Sequence, residues 1–212
     1  MSATTIPPTG PPKSRTFRLD ADSNGMSMTP EEFDAIRDYD ERYQYELIRG
    51  VVVVSPIPSE AHDDPNEELG RLLRNHRSGH PQGGVLDETL FNRYVATSAG
   101  RRLADRVVWI GLGRRPDPKT DVPAIAVEFV SRSRRDRHRD YVEKRQEYRE
   151  AGVKEYWIID RFRRQMTVAL ADGTEKVVGE GETYSTPLLP GFELPLASLL
   201  ARADAWGETE GE

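Results

Sequence analysis

Apolar positions recur with two periods along the chain, and the switches between them mark its elements. Thr29 is a suitable helix N-cap, Pro30 suits a first turn, and Glu32 completes an S/T-x-x-E capping box, so a helix is predicted to open here. "YQYELIRGVVVVSP" (43–56) alternates apolar and polar residues, breaks at Arg49-Gly50 and resumes in valines, which predicts a hairpin. Residues 59–79 read as a helix, most strongly from Pro65, with Leu69, Leu72 and Leu73 at core-facing spacing. Strands are predicted near Val85–Asp87 and Leu90–Ala96, followed by "ADRVVWIG" (104–111) and "AIAVEFV" (124–130), both of buried-strand length. "DRHRDYVEKRQEYREAG" (136–152) is amphipathic with Gly152 at a natural C-cap, and "KEYWIID" (154–160) is another buried strand. A second hairpin is predicted over 163–178, turning at Asp172-Gly173. There is no internal repeat. Helix, strands, helix, strand is the order of a mixed α/β layer with helices packed on a central sheet.

Composition sets the limits of that layer. Residues 1–25 are rich in Pro, Ser, Thr and Gly and are expected to form a flexible tail, 26–200 a single folded domain, and 201–212 an acidic tail. With no cysteine, disulfides and thiolate metal sites are excluded. No apolar run approaches the ~20 residues that cross a bilayer, and no secretory h-region opens the chain, so a cytoplasmic protein without a membrane partner is expected. The net charge of −6 argues against non-specific coating of nucleic acid. Its distribution is uneven, however: Arg132, Arg134, Arg135, Arg137 and Arg139 crowd one segment, and Arg161, Arg163 and Arg164 another.

Several motifs fall away on inspection. Asp20, Asp22, Asn24, Gly25 and Glu31 match the spacing of a calcium loop. The entering segment nevertheless holds Pro7, Pro8, Pro11 and Pro12, which bar a full helix, and Ser27 stands where such loops carry an apolar residue. A polar segment leading into a capped helix is the simpler reading. The G-x-G of "WIGLGRRP" has Pro116 in place of a third glycine and no helix pattern after it. No P-loop or G-x-S-x-G is present, and His62, His76, His80 and His138 show no H-E-x-x-H spacing.

What remains is Glu128, an acid inside an almost wholly apolar run, and Asp105, which opens "DRVVWIG". If the two strands are neighbours, both carboxylates face one concave site, a pairing that is unfavourable unless a cation neutralises it. Oxygen ligands select a hard cation such as magnesium, which lowers the pKa of a bound water. Asp140, Lys144 and Tyr148 recur every four residues and share one helix face, from which Lys144 can reach the acids. The bland alternative is a Glu128 paired with an arginine and a solvated Asp140–Lys144 pair worth ~0.3–0.5 kcal/mol.

The ordered set "YELIRGVVVVSPIPSEAH", "ADRVVWIG", "AIAVEFVS" and "RDYVEKRQEYREAGVKEYWIID" resembles the Uma-type restriction endonucleases of bacteria, a branch of the PD-(D/E)xK superfamily, over about residues 28 to 200. The resemblance implies a restriction-endonuclease-like α-β-β-β-α-β core with a mixed central sheet, plus an N-terminal helix and hairpin and a C-terminal hairpin. It implies that Asp105 is the D of the PD half and Glu128 the acid of the (D/E)xK half, with Ala104 in place of the proline. Val130 stands at the lysine position, and Lys144 on the following helix is its replacement. Glu46, in "YELIRG", matches a recurrent family acid that ligates or orients a metal. His62, Asp140 and Tyr148 are accessory positions, and Arg132, Arg134 and Arg135 are expected to meet the phosphodiester backbone. Tyr156 and Trp157 are assigned to the core and its margin. The function implied is a Mg2+- or Mn2+-dependent endonuclease acting on DNA, with RNA left open and a homodimer suggested by the superfamily. The rivals are a non-cleaving DNA-binding module that keeps the fold, and a calcium-responsive protein working through residues 20–31.

Overall fold

The protein is described by a computed structural model over residues 17–98, 100–133 and 138–207. Arg134 and Arg135 therefore lie outside the described residues, as do Pro7, Pro8, Pro11, Pro12, Arg137 and the last acids of the chain.

The first hairpin pairs β3 (Tyr43–Ile48) with β4 (Val51–Pro56). Its two-residue loop has positive φ at both Arg49 (52°) and Gly50 (76°), the left-handed pair that matches strand twist. In front of it stands α1 (Pro30–Ala35), with the capping box formed: Thr29 Oγ1 accepts from Glu32 N–H, and Glu32 Oε2 accepts from Thr29 N–H. The short strands β1 (Arg18–Leu19) and β2 (Asp38–Tyr39) pair in parallel beside it. Leu19, Phe33, Tyr45, Leu47 and Val52 make a small core of their own. The boundary expected at residue 25 thus falls inside a packed segment, because Leu19 has an apolar surface to bury against.

Helix α2 (Glu60–Gly79) leads to β5 (Leu86–Thr97) and β6 (Gly100–Ile110). Two differences from the sequence reading appear. The pair of strands read near 85–87 and 90–96 is one strand with a bulge at Asp87. The strand read from Ala104 begins at Gly100, its first half hidden from a hydropathy reading by Arg101 and Arg102. Next come β7 (Ile125–Phe129), a π-helical turn (Arg139–Glu143), α3 (Lys144–Ala151) and β8 (Glu155–Asp160). Gly152 closes α3 at φ 98°. The second hairpin, β9 (Gln165–Leu170) and β10 (Glu175–Gly179), turns as read. Finally β11 (Thr183–Tyr184) pairs with β12 (Leu194–Pro195), and α4 (Leu196–Asp204) follows, burying Leu199, Leu200 and Ala203. The segment expected as an acidic tail from 201 therefore begins as helix.

The main sheet runs β10-β9-β8-β7-β6-β3-β4, with β5 on the other edge of β6. Only β7 and β8 are parallel; the remaining neighbours are antiparallel, giving a mixed sheet. Strand alternation sorts side chains to two faces. Leu69 and Leu73 of α2 and Leu199 of α4 pack with Val108, Ile125, Val127 and Trp157 on one face. Tyr148 of α3 and Val153 pack with Val107, Trp109, Ala126 and Tyr156 on the other. The α-β-β-β-α-β core is α2-β5-β6-β7-α3-β8. Among the described residues no helix is long and apolar enough to cross a membrane.

Candidate active site at the sheet fork

One edge of β6 is shared by two strands. It pairs with β3 through Arg101↔Leu47 and Gly100↔Ile48, and with β7 through Arg106↔Val127, Val107↔Ala126 and Val108↔Ile125. Between them, among the described residues, Arg102 to Asp105 face no strand on that edge, and the sheet forks. Unpaired backbone groups in a buried place need partners, and here side chains supply them. Glu46 Oε1 accepts from Leu103 N–H at 2.9 Å, and Lys144 Nζ donates to Leu103 O at 2.9 Å. Asn66 Nδ2 donates to Asp105 O at 3.0 Å, and Asp105 Oδ2 accepts from Phe129 N–H at 2.7 Å. Asp105 therefore lies in mid-strand rather than opening one. Its place in the cleft comes from the fork, not from a strand end.

The register that pairs Arg106 with Val127 makes Asp105 and Glu128 the next opposed positions. Alternation places them on the face of Val107, Trp109, Ala126 and Val130. Both acids, with Glu46, Asp140 and Lys144, line one cleft of about 500 Å³. All five residues are buried. Lys144 Nζ lies 2.9 Å from Glu128 Oε1, 3.6 Å from Glu46 Oε1 and 3.7 Å from Asp140 Oδ1. The π-helical turn sets this up: Lys144 N–H bonds back to Arg139 O, five residues earlier, which swings Asp140 and Lys144 over the fork. Tyr148 does not line the cleft; it is wholly buried and donates to Glu128 Oε1 at 3.0 Å from behind. Tyr156 and Trp157 are buried, as assigned.

Electrostatics follow from this crowding. Burial, then the acids Asp105 and Asp140, outweigh Lys144 and raise the Glu128 carboxyl well above its ordinary range. Burial likewise raises Asp140, to about 6. Lys144 is held charged: burial opposes the ammonium, but Glu128, Glu46 and Asp140 together raise its pKa. His62 Nε2 lies 3.0 Å from Asp105 Oδ2 and Nδ1 lies 3.3 Å from Asp63 Oδ1. Against burial, Asp105 raises the imidazole to about 10, while the Asp105 carboxyl, despite its own burial, is lowered by His62.

Arg132 lines the cleft with its guanidinium 5.7 Å from the centre of the Phe162 ring. Arg139 and Arg161 also line it; Arg139, whose Nη1 lies 3.5 Å from Glu46 Oε2, was visible in the sequence only as one of a crowd. In the calcium-loop segment, Asp20 Oδ1 accepts from Asp22 N–H and Ser23 Oγ, and Asn24 Oδ1 accepts from Val54 N–H. Two of the matching positions are thus spent on local turns and on the hairpin.

Among the described residues no three His, Asp or Glu side chains are grouped so as to encircle a metal ion. The donor set nevertheless suits magnesium, which takes one or two carboxylates and keeps waters. Asp105 Oδ1 and Glu128 Oε2 accept no hydrogen bond from the described residues, whereas their other oxygens are engaged. Glu46 is committed to Leu103, Lys144 and Arg139.

The forked mixed sheet with acids and a lysine at the split has the architecture of a restriction-endonuclease-like nuclease fold. More particularly, residues 30–197 match the Uma2 family, described as "Putative restriction endonuclease", and the chain belongs to that family. It is similar in fold to a solved structure from Anabaena variabilis, "a putative nuclease belonging to DUF820", with TM-score 0.65 and 15% identity over 83% of this chain and 99% of that one. No curated protein matches the chain.

Proposed function

We propose that this protein is a divalent-metal-dependent endonuclease that hydrolyses DNA phosphodiester bonds at the fork. The observation that carries the reading is the convergence of Asp105, Glu128 and Lys144 where one edge of β6 has no strand partner among the described residues. Asp105 and Glu128 would hold Mg2+ or Mn2+ through Oδ1 and Oε2. When bound, such an ion polarises a phosphoryl oxygen and generates hydroxide near neutral pH. Lys144 keeps its proton and offers a fixed positive charge to the pentavalent transition state. Glu46 is a positioning residue: it holds Leu103 N–H and draws Lys144 toward the fork. Tyr148 fixes the Glu128 rotamer. His62 holds Asp105 from the α2 side.

The test is cleavage of plasmid and linear DNA with Mg2+ or Mn2+, with and without EDTA, by wild type, Asp105→Asn, Glu128→Gln and Lys144→Met. Each substitution should lower the rate by at least ~10²-fold, the scale of removing one preorganised charge-stabilising donor. Undiminished cutting by Asp105→Asn or Glu128→Gln would refute the assignment. Calorimetric titration with Mg2+ separates this reading from a non-cleaving DNA-binding module, which would retain DNA affinity without the metal.

A further inference from the structure

The cleft has two unlike parts. The acids and Lys144 stand at the fork, and another part of the lining is apolar: Pro56 at the end of β4, Ile57 and Pro58 of the β4–α2 connection, Ala61 and Pro65 of α2, and Ala203 of α4. Arg132, Arg139 and Arg161 line the cleft and can take phosphate contacts. The start of α2, by contrast, exposes Asp63 and Glu67, which would repel phosphate there. The volume of about 500 Å³ falls in the range that encloses one small ligand, enough for a nucleotide and far short of a double helix.

Trp206 lies close to this apolar lining, outside the cleft itself. It lies three residues beyond Ala203, and its Nε1 donates at 2.9 Å to Asp64, the neighbour of cleft-lining Pro65. The bond fixes the indole, yet the residue is 52% exposed. An immobilised, open aromatic face beside an apolar recess is a stacking platform for a base. Resting on the nuclease reading, we infer that the fork takes DNA unpaired at the point of attack: one nucleobase leaves the stack and lies along the apolar lining, beside Trp206, while its phosphate meets the acids and Lys144. The substrate class is single-stranded DNA, or duplex with an unpaired or mismatched base, for which the unstacking cost is smallest.

Trp109 and Trp157 are 1% and 0% exposed, so a stacking base quenches Trp206 alone. The experiment uses the full chain in EDTA with a labelled short oligodeoxynucleotide as single strand, as matched duplex, and as duplex with one central mismatch. Single strand and mismatch should quench the tryptophan emission and bind at least ~5-fold more tightly than matched duplex by anisotropy. Trp206→Ala should weaken the single strand by ~5-fold or more and erase the preference without shifting Tm. Trp206→Phe should keep the affinity and lose the quench. Equal affinity for matched duplex, or an unchanged dissociation constant in Trp206→Ala, overturns the inference. Cleavage is scored separately: metal-dependent cutting with no preference for unpaired DNA leaves the nuclease reading standing and ends this one. Preferential binding without any cutting does the reverse.

Discussion

Replacing Arg102 by methionine should be among the most damaging single changes outside the cleft. The guanidinium is wholly buried. It donates to Glu147 from Nε at 2.5 Å and from Nη2 at 2.9 Å, and from Nη2 to Glu143 at 3.1 Å. Glu143 is 31% exposed at its side chain and keeps water as an alternative, whereas the Glu147 side chain is 10% exposed and has none. Arg102→Met thus leaves one carboxylate buried and unpaired, at about 3–5 kcal/mol, a large part of the roughly 5–15 kcal/mol that holds a domain folded. Arg102→Met/Glu147→Met together remove both charges and should lose much less than the sum of the singles, since apolar replacement of a whole buried pair is often near neutral. Urea denaturation of the four proteins, with unchanged m-values, measures the cycle. Because Glu143 and Glu147 bracket Lys144, Arg102→Met should also lose the proposed metal-dependent cleavage under conditions where it is still folded. A loss below about 1 kcal/mol for Arg102→Met, or additive singles, would refute the reasoning.

Two further outcomes follow from the packing. A Cβ on Gly100, whose φ is 152°, would sit 1.8 Å from Leu47 O, so Gly100→Ala should cost at least ~2 kcal/mol and loosen β3 from β6; hydrogen exchange at Leu47 and Ile48 would report it, and unchanged protection would contradict the fork geometry. His76 stacks on His80 and meets Phe192 edge-on, its Nε2 has no partner among the described residues, and burial, with His80 beside it, holds its pKa below the ordinary imidazole value. The unfolded chain then binds the proton first as pH falls through about 6.5, so stability should drop there by up to ~1.4 kcal/mol per pH unit more in wild type than in His76→Phe, as read by Tm against pH; parallel curves would exclude it.

The gathering of charged side chains was more legible in the sequence than the scaffold around it. An acid in an apolar strand is costly unless used, so Glu128 stood out, and a four-residue helical spacing tied Asp140, Lys144 and Tyr148 to it. The fork was not legible, because nothing local shows that β6 changes partners halfway along. The pairing that lets Arg102 and Arg106 be buried was illegible for a related reason. Charged residues read as exposed, yet both are wholly buried, Arg102 against Glu147 and Arg106 against Asn66 and Thr89. Their partners lie 17 to 45 positions away, beyond the reach of periodicity. The π-helical turn was read as ordinary helix, since five residues cannot be told from a regular turn by pattern.

Leu103 depends on two distant benefactors: its amide on Glu46, 57 positions earlier, and its carbonyl on Lys144, 41 positions later. The three residues therefore meet only once the chain has been made through Lys144 and folded. A chain ending before α3 lacks Lys144 and leaves the Leu103 carbonyl without that partner.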